Sequence, residues 1–200
     1  MQLVVGNLST WSMRAWLCSR IAEIELDLVV VPLGEPGYEI KLAQYSPSHL
    51  VPVLVTDQVT IHDSLAIVEF LNEVSDGALY PAQSTERAMA RSLCAELHSG
   101  FMTIRELCPF AFDEVVNADQ DNPAIRKDIA RLQAIFSQAS LPFMFDMPGA
   151  VDAFYALMAY RLNDYGVVLE GRAGEYQQSL LNWPEFKKVI TESKNWAAEQ

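Results

Sequence analysis

Apolar residues run through this chain in two different periods. In the first third they form the short runs Leu3-Val4-Val5, Leu28-Val29-Val30-Val31, Val53-Leu54-Val55 and Val59-Thr60-Ile61. Such β-branched runs, bounded by turn formers, predict strands. Over 13–24 the apolar Ala15, Trp16, Leu17, Ile21 and Ala22 fall mostly on one side at helical spacing. The order strand, helix, strand is a βαβ unit. Residues 32–44 read as irregular, and Thr56-Asp57-Gln58 as a tight turn between the last two strands. Asp63-Ser64 stand before Leu65, Ile67, Val68, Phe70 and Leu71, whose spacing is helical. After the turn residues of 75–81 no strand-like alternation returns. A long helix is expected from about 86 to 107, ended near Cys108-Pro109 because proline disfavours helical geometry in the residue before it. Asn122-Pro123 opens another, with Ile125, Ile129, Leu132, Ile135 and Phe136 as its buried stripe. The most apolar helix spans 151–165. The pattern predicts an α/β domain over 1–76, a linker at 77–84 and an all-α domain over 85–200.

Composition narrows the function. Half of the 200 residues are hydrophobic, enough for a core without cross-links. A net charge of −12 argues against nucleic acid as a partner, because binding phosphates needs a basic footprint. Cys18, Cys94 and Cys108 are odd in number and lack metal-site spacing, which points to a reduced, cytoplasmic setting and to no metal. Cys18 and Cys94 lie in apolar helical patterns and read as packing residues. No targeting segment and no apolar run of membrane length is seen, so no membrane partner is expected.

The candidate chemistry lies at 46–73. Pro52 opens a strand, which leaves the backbone before it free to pair with an extended ligand. Ser64 stands at a helix start, where unpaired N–H groups and the helix dipole attract a carboxylate. Plain capping by Asp63 and Ser64 is compatible with that role.

This run resembles the glutathione-binding half of cytosolic glutathione transferases. Residues 9–17, from Ser9-Thr10-Trp11-Ser12 through Arg14 to Trp16-Leu17, resemble the first-helix segment of a bacterial serine-type branch related to the zeta class. Residues 95–101 with Arg105, residues 142–155 and Tyr165-Gly166-Val167 resemble later segments of the same branch.

The resemblance implies a thioredoxin-like N-terminal domain followed by an all-α helical domain, in a homodimer that uses glutathione as co-substrate. Glutathione would lie along Val51 beside a cis Val51-Pro52 bond, with Ser64 on its γ-glutamyl carboxylate and Asp63 on its ammonium. The thiol is a better nucleophile as thiolate, so a hydroxyl donor at a helix start is needed to lower its pKa from roughly 8.5. Ser9 is the first candidate and Thr10 the second. Ser12 is third, being a candidate N-cap. Trp11 stands where zeta enzymes have a cysteine, and is expected to wall the pocket. The family places a Lys, Arg or Gln before the Val-Pro pair, and here Leu50 stands there with His49 adjacent. Glu96, His98, Phe101, Met102, Arg105 and Tyr155 would line the site of a small hydrophobic electrophile, and Glu96 would reach across a dimer interface. The implied activity is glutathione transfer, with a zeta-like isomerase or dehalogenase, or a weakly catalytic regulatory protein, as alternatives.

Overall fold

The computed structural model describes residues 1–198 and opens with strand β1 (Gln2–Gly6), helix α1 (Thr10–Ile21) and strand β2 (Asp27–Val31). Helix α2 (Tyr38–Ala43), β3 (Val53–Val55), β4 (Thr60–His62) and α3 (Ser64–Val74) follow. Further helices are α4 (Ser84–Ser99), α5 (Met102–Leu107), α6 (Pro123–Phe136), α7 (Ala150–Asp164), α8 (Gly171–Asn182) and α9 (Pro184–Ala198). The sheet order is β2-β1-β3-β4, with β1 and β2 parallel and the other pairs antiparallel. This is a thioredoxin-like half followed by helices. Strand alternation sorts the side chains: Leu3, Val5 and Leu54 face the main core under α1 and α3, while Val4, Val31 and Val53 form a second cluster with Leu42 of α2.

Four expectations are corrected. The first helix starts at Thr10 rather than Met13, because Ser9 caps it: the Ser9 hydroxyl accepts from the Ser12 N–H at 3.2 Å. The stretch expected to be irregular over 32–44 contains the short α2. The helix expected over 86–107 is broken at Gly100 and at Phe101, which has φ of 59°. Arg105 stabilises the break by donating to the orphaned carbonyls of Leu97 at 2.6 Å and Gly100 at 3.0 Å. Lastly, the strand expected at 59–61 is β4, one residue later, because the Val59 carbonyl accepts from Thr56 in the turn.

Helix α7 is buried along most of its length and starts without a side-chain cap at Gly149. Leu79 explains the glycine. The Ala150 N–H donates to the Leu79 carbonyl at 2.9 Å, and a Cβ at position 149 would come within 2.7 Å of that oxygen. Asp152 does the capping instead, accepting from the Gly149 N–H at 2.9 Å, the Met144 N–H at 2.8 Å and the Tyr176 hydroxyl at 2.6 Å. Burial pushes its carboxyl up to about 6, against the pull of these three donors.

Candidate functional site

Three chain segments meet beside the sheet. The Val51–Pro52 peptide is cis, and the ladder to β1 begins only at the Val4–Val53 pair, so Val51 lies outside it. Val51 is close to the turn into α1, since a Cβ on Gly6 would lie 3.0 Å from a Val51 methyl. Ser9 is half-buried at the start of α1 and Thr10 is buried behind it. Because the Ser9 oxygen serves the cap as acceptor, its own O–H remains a donor. Ser12 is corrected: it caps nothing, is fully buried, and its hydroxyl accepts from the Gly6 N–H at 3.2 Å. It fastens α1 to β1.

Asp63 caps α3 by accepting from the Leu65 N–H at 2.8 Å and the Ala66 N–H at 3.3 Å. Its φ of 76° with ψ of 126° lies outside the ordinary helical and extended regions. Ser64 follows, 0% exposed. Its hydroxyl accepts from Arg14 Nε at 2.9 Å and also from Nη2. The same Arg14 Nη2 lies 2.6 Å from His98 Nδ1, and His98 Nε2 lies 3.2 Å from an Asp63 carboxylate oxygen. Since arginine only donates, His98 Nδ1 must be the acceptor and Nε2 carries the proton towards Asp63. The imidazole is therefore neutral in this ring of contacts. Its pKa is accordingly lowered, by desolvation first and then by Arg14, with Asp63 opposing and Arg105 adding to the drop.

Arg14 is buried against Phe154, with its guanidinium carbon 4.3 Å from that ring centroid. Burial, then Arg105, lowers it to about 9. Trp11 is half-buried between two guanidinium groups, 5.4 Å from Arg14 and 4.6 Å from Arg105. Behind these lies a cavity of about 10 Å³, room for one water, lined by Thr10, Arg14, Arg105, Phe154 and Arg161 among others. Arg161 is 5% exposed, and its Nε and Nη1 have no hydrogen-bond partner among the described residues. Burial, then Arg105, lowers it to about 10. Sequence reasoning missed Arg161, although an arginine inside the most apolar helix was a usable signal.

Several expected pocket residues lie elsewhere. Tyr155 is fully buried, its hydroxyl donating to the Leu93 carbonyl at 3.0 Å, so it is core. Phe101 is buried at the helix break, and Met102 is 63% exposed outside the cavity. Glu96 is held by Arg131 at 2.6 and 2.8 Å within the same chain, which occupies the carboxylate expected to cross to a partner. His98 and Arg105 do reach the site. Leu50 is 69% exposed and His49 is exposed with φ of 54° in the turn before Val51.

Residues 8–74 match the family model described as the glutathione S-transferase N-terminal domain. Along 97% of both chains, the fold is similar to that of a Burkholderia glutathione transferase homolog with bound glutathione, at a TM-score of 0.74 and 23% identity. The chain carries a glutathione S-transferase N-terminal domain over residues 8–74 and shares the glutathione transferase fold along its length. Among curated relatives, a probable maleylacetoacetate isomerase from Caenorhabditis elegans is 30% identical over 100 residues, 50% of this chain and 47% of that protein. The match thus spans about half the length of that relative. Maleylacetoacetate isomerase from Dictyostelium discoideum is 24% identical over 96% of this chain and 92% of its own length. A stringent starvation protein A homolog from Coxiella burnetii is 22% identical over 98% of this chain and 93% of its own. Among the described residues, no group of three or more metal-ligating side chains that could hold a metal occurs, and no helix is long and apolar enough to cross a membrane.

Proposed function

We propose that this chain binds glutathione along Val51 and at Asp63–Ser64, and presents its thiol to a small electrophile at the start of α1. The observation that carries this reading is the meeting of the cis Val51–Pro52 segment, the Asp63–Ser64 helix start and the Ser9–Thr10 helix start, with Arg14 linking the two helix starts. A thiolate beside the N-terminus of α1 gains from the helix dipole and from the free Ser9 O–H. The relatives' names and the bound glutathione of the Burkholderia homolog support the same co-substrate. In this reading two copies pair as a homodimer, without Glu96 as a bridge.

The test is binding. Glutathione is expected to raise the melting temperature by an amount that grows with its concentration relative to Kd. Silence at millimolar glutathione, with S-hexylglutathione equally silent, refutes the reading. Leu50→Lys places an ammonium beside the Val51 edge and is expected to tighten binding; unchanged affinity would mean that the glycyl carboxylate is held by other groups.

A second reading, glutathione-dependent isomerisation of a carboxylate-bearing electrophile, is favoured by the positive field that Arg14, Arg105 and Arg161 set up around one water-sized cavity beside the site and by the isomerase relatives. A buried guanidinium with two idle donors lacks an anionic partner. Arg161→Met is expected to stabilise the free protein by up to about 1–4 kcal/mol. It should also slow turnover of 4-chloro-3-nitrobenzoate with glutathione by roughly ten- to a hundredfold, and that of neutral 1-chloro-2,4-dinitrobenzene far less. Equal losses on both electrophiles would remove the carboxylate from this reading.

A further inference from the structure

The γ-glutamyl end of the proposed glutathione site is already occupied by the protein itself. Asp63 has one carboxylate oxygen committed to the α3 cap and the other to His98 Nε2. The Ser64 oxygen accepts from Arg14, whose Nη2 also holds His98 Nδ1, so only the Ser64 O–H remains to donate. Ser64 has no exposed surface, and the His98 side chain is only 25% exposed. His98 comes from α4 and is 84 residues from Arg14 in the chain, so the imidazole spans the junction between the sheet-bearing half and the helical half.

We propose that His98 is a latch on this subsite: its imidazole N–H holds the Asp63 carboxylate in place of a ligand ammonium, and it must swing away before glutathione can bind. The inference rests on the assignment of Asp63 and Ser64 to the γ-glutamyl end. An ammonium carries a full charge and three donors, whereas neutral imidazole offers Asp63 one N–H at 3.2 Å. The ligand therefore displaces the latch, but its affinity is reduced by the fraction of molecules that are closed.

The latch has a built-in response to acid. In the closed arrangement His98 Nδ1 has to accept from Arg14, and protonation would set two donors 2.6 Å apart. The charged groups facing the ring are Arg14 on α1, Asp63 before α3 and Arg105 on α5. Both arginines oppose a positive imidazole and Asp63 favours it. The closed state thus prefers neutral His98, and lowering the pH from 8 to 6 shifts the population towards the open state.

Calorimetric titration with glutathione and with S-hexylglutathione tests this on the intact chain, comparing wild type with His98→Ala. The alanine variant is expected to bind about five- to tenfold more tightly at pH 8. With S-hexylglutathione, which has no thiol to ionise, wild-type affinity should rise on going to pH 6, while that of the variant stays flat. A ligand contact at His98 predicts the reverse, weaker binding by the variant, and that result or equal binding overturns the latch while leaving the glutathione site standing. No binding by wild type or variant overturns the glutathione reading itself and the latch with it. Should His98→Ala fail to fold, His98→Asn, a shorter polar side chain, is measured with the same expectations.

Discussion

Replacing Asp152 by alanine is expected to destabilise the protein by about 3–5 kcal/mol, since each buried donor left without an acceptor costs about 1–3 kcal/mol. The carboxylate is 1% exposed and serves three donors at once: the Met144 N–H, the Gly149 N–H and the hydroxyl of the fully buried Tyr176. It also carries the capping of α7, because Gly149 has no side chain to do so and the Leu79 carbonyl leaves no room for one. Urea unfolding should show the midpoint falling with an unchanged slope. Asp152→Asn separates hydrogen bonding from charge. Its amide oxygen keeps an acceptor for Tyr176 and Met144 but sets an NH2 group against the Gly149 N–H, and burial has already pushed the carboxyl up to about 6, which favours a neutral group there. The asparagine variant should lose less than half as much stability. If both variants lose equally, the Gly149 N–H bond or the charge, rather than the Tyr176 and Met144 bonds, holds α7.

Removing the Ser9 hydroxyl is expected to have the largest effect on catalysis. Ser9→Ala deletes the O–H that would donate to the glutathione thiolate, a charge-assisted bond of about 1.5–3 kcal/mol, so the conjugation rate should fall roughly ten- to a hundredfold at neutral pH. The sign of the pH effect follows from the same bond. A donor that favours thiolate lowers the thiol pKa, and its loss moves the activity profile to higher pH, with the rate recovering as the thiol ionises unaided near roughly 8.5. Because Ser9 also caps α1, alanine should cost about 1 kcal/mol of stability as well. Ser9→Gly discriminates between the two roles. Glycine is a cap worse by only a few tenths of a kcal/mol, so this variant should regain stability without regaining rate. Rates measured against pH for alanine at Ser9 and Thr10 complete the assignment. An unchanged profile for Ser9→Ala with a displaced one for Thr10→Ala would move the thiol-activating hydroxyl one residue along the helix.

Legibility differed from residue to residue for physical reasons. Pro52 before an apolar run, Asp63 ahead of a helical stripe and Pro123 after Asn122 are local signals, each acting within a few residues of itself, and the strand, cap and helix start were readable from them. Ser9 was read as a thiol donor, and its capping role was assigned to Ser12. Both serines precede apolar helical residues, and only the contact of Ser12 with Gly6 decides which of them is inside. The break at Gly100–Phe101 was hidden because the apolar spacing of 93–104 continues through it. The carbonyls that the break exposes are collected by Arg105, whose guanidinium reaches back to them.

The sequence by itself therefore determined the four strands and the helix that starts after Asp63, the α/β half followed by the helical half, and the positions of Val51–Pro52, Asp63 and Ser64, but not the short α2 or the α4–α5 break, since periodicity and turn chemistry act over one element at a time. Only the tertiary structure decided which side chains share the site. It placed Tyr155 in the core, tied Glu96 to Arg131, brought the idle donors of Arg161 to the cavity beside Thr10, and closed Arg14, Ser64, Asp63 and His98 into one ring. Those contacts join residues tens of positions apart, and they depend on how whole helices pack, which no local pattern of apolar and polar residues encodes.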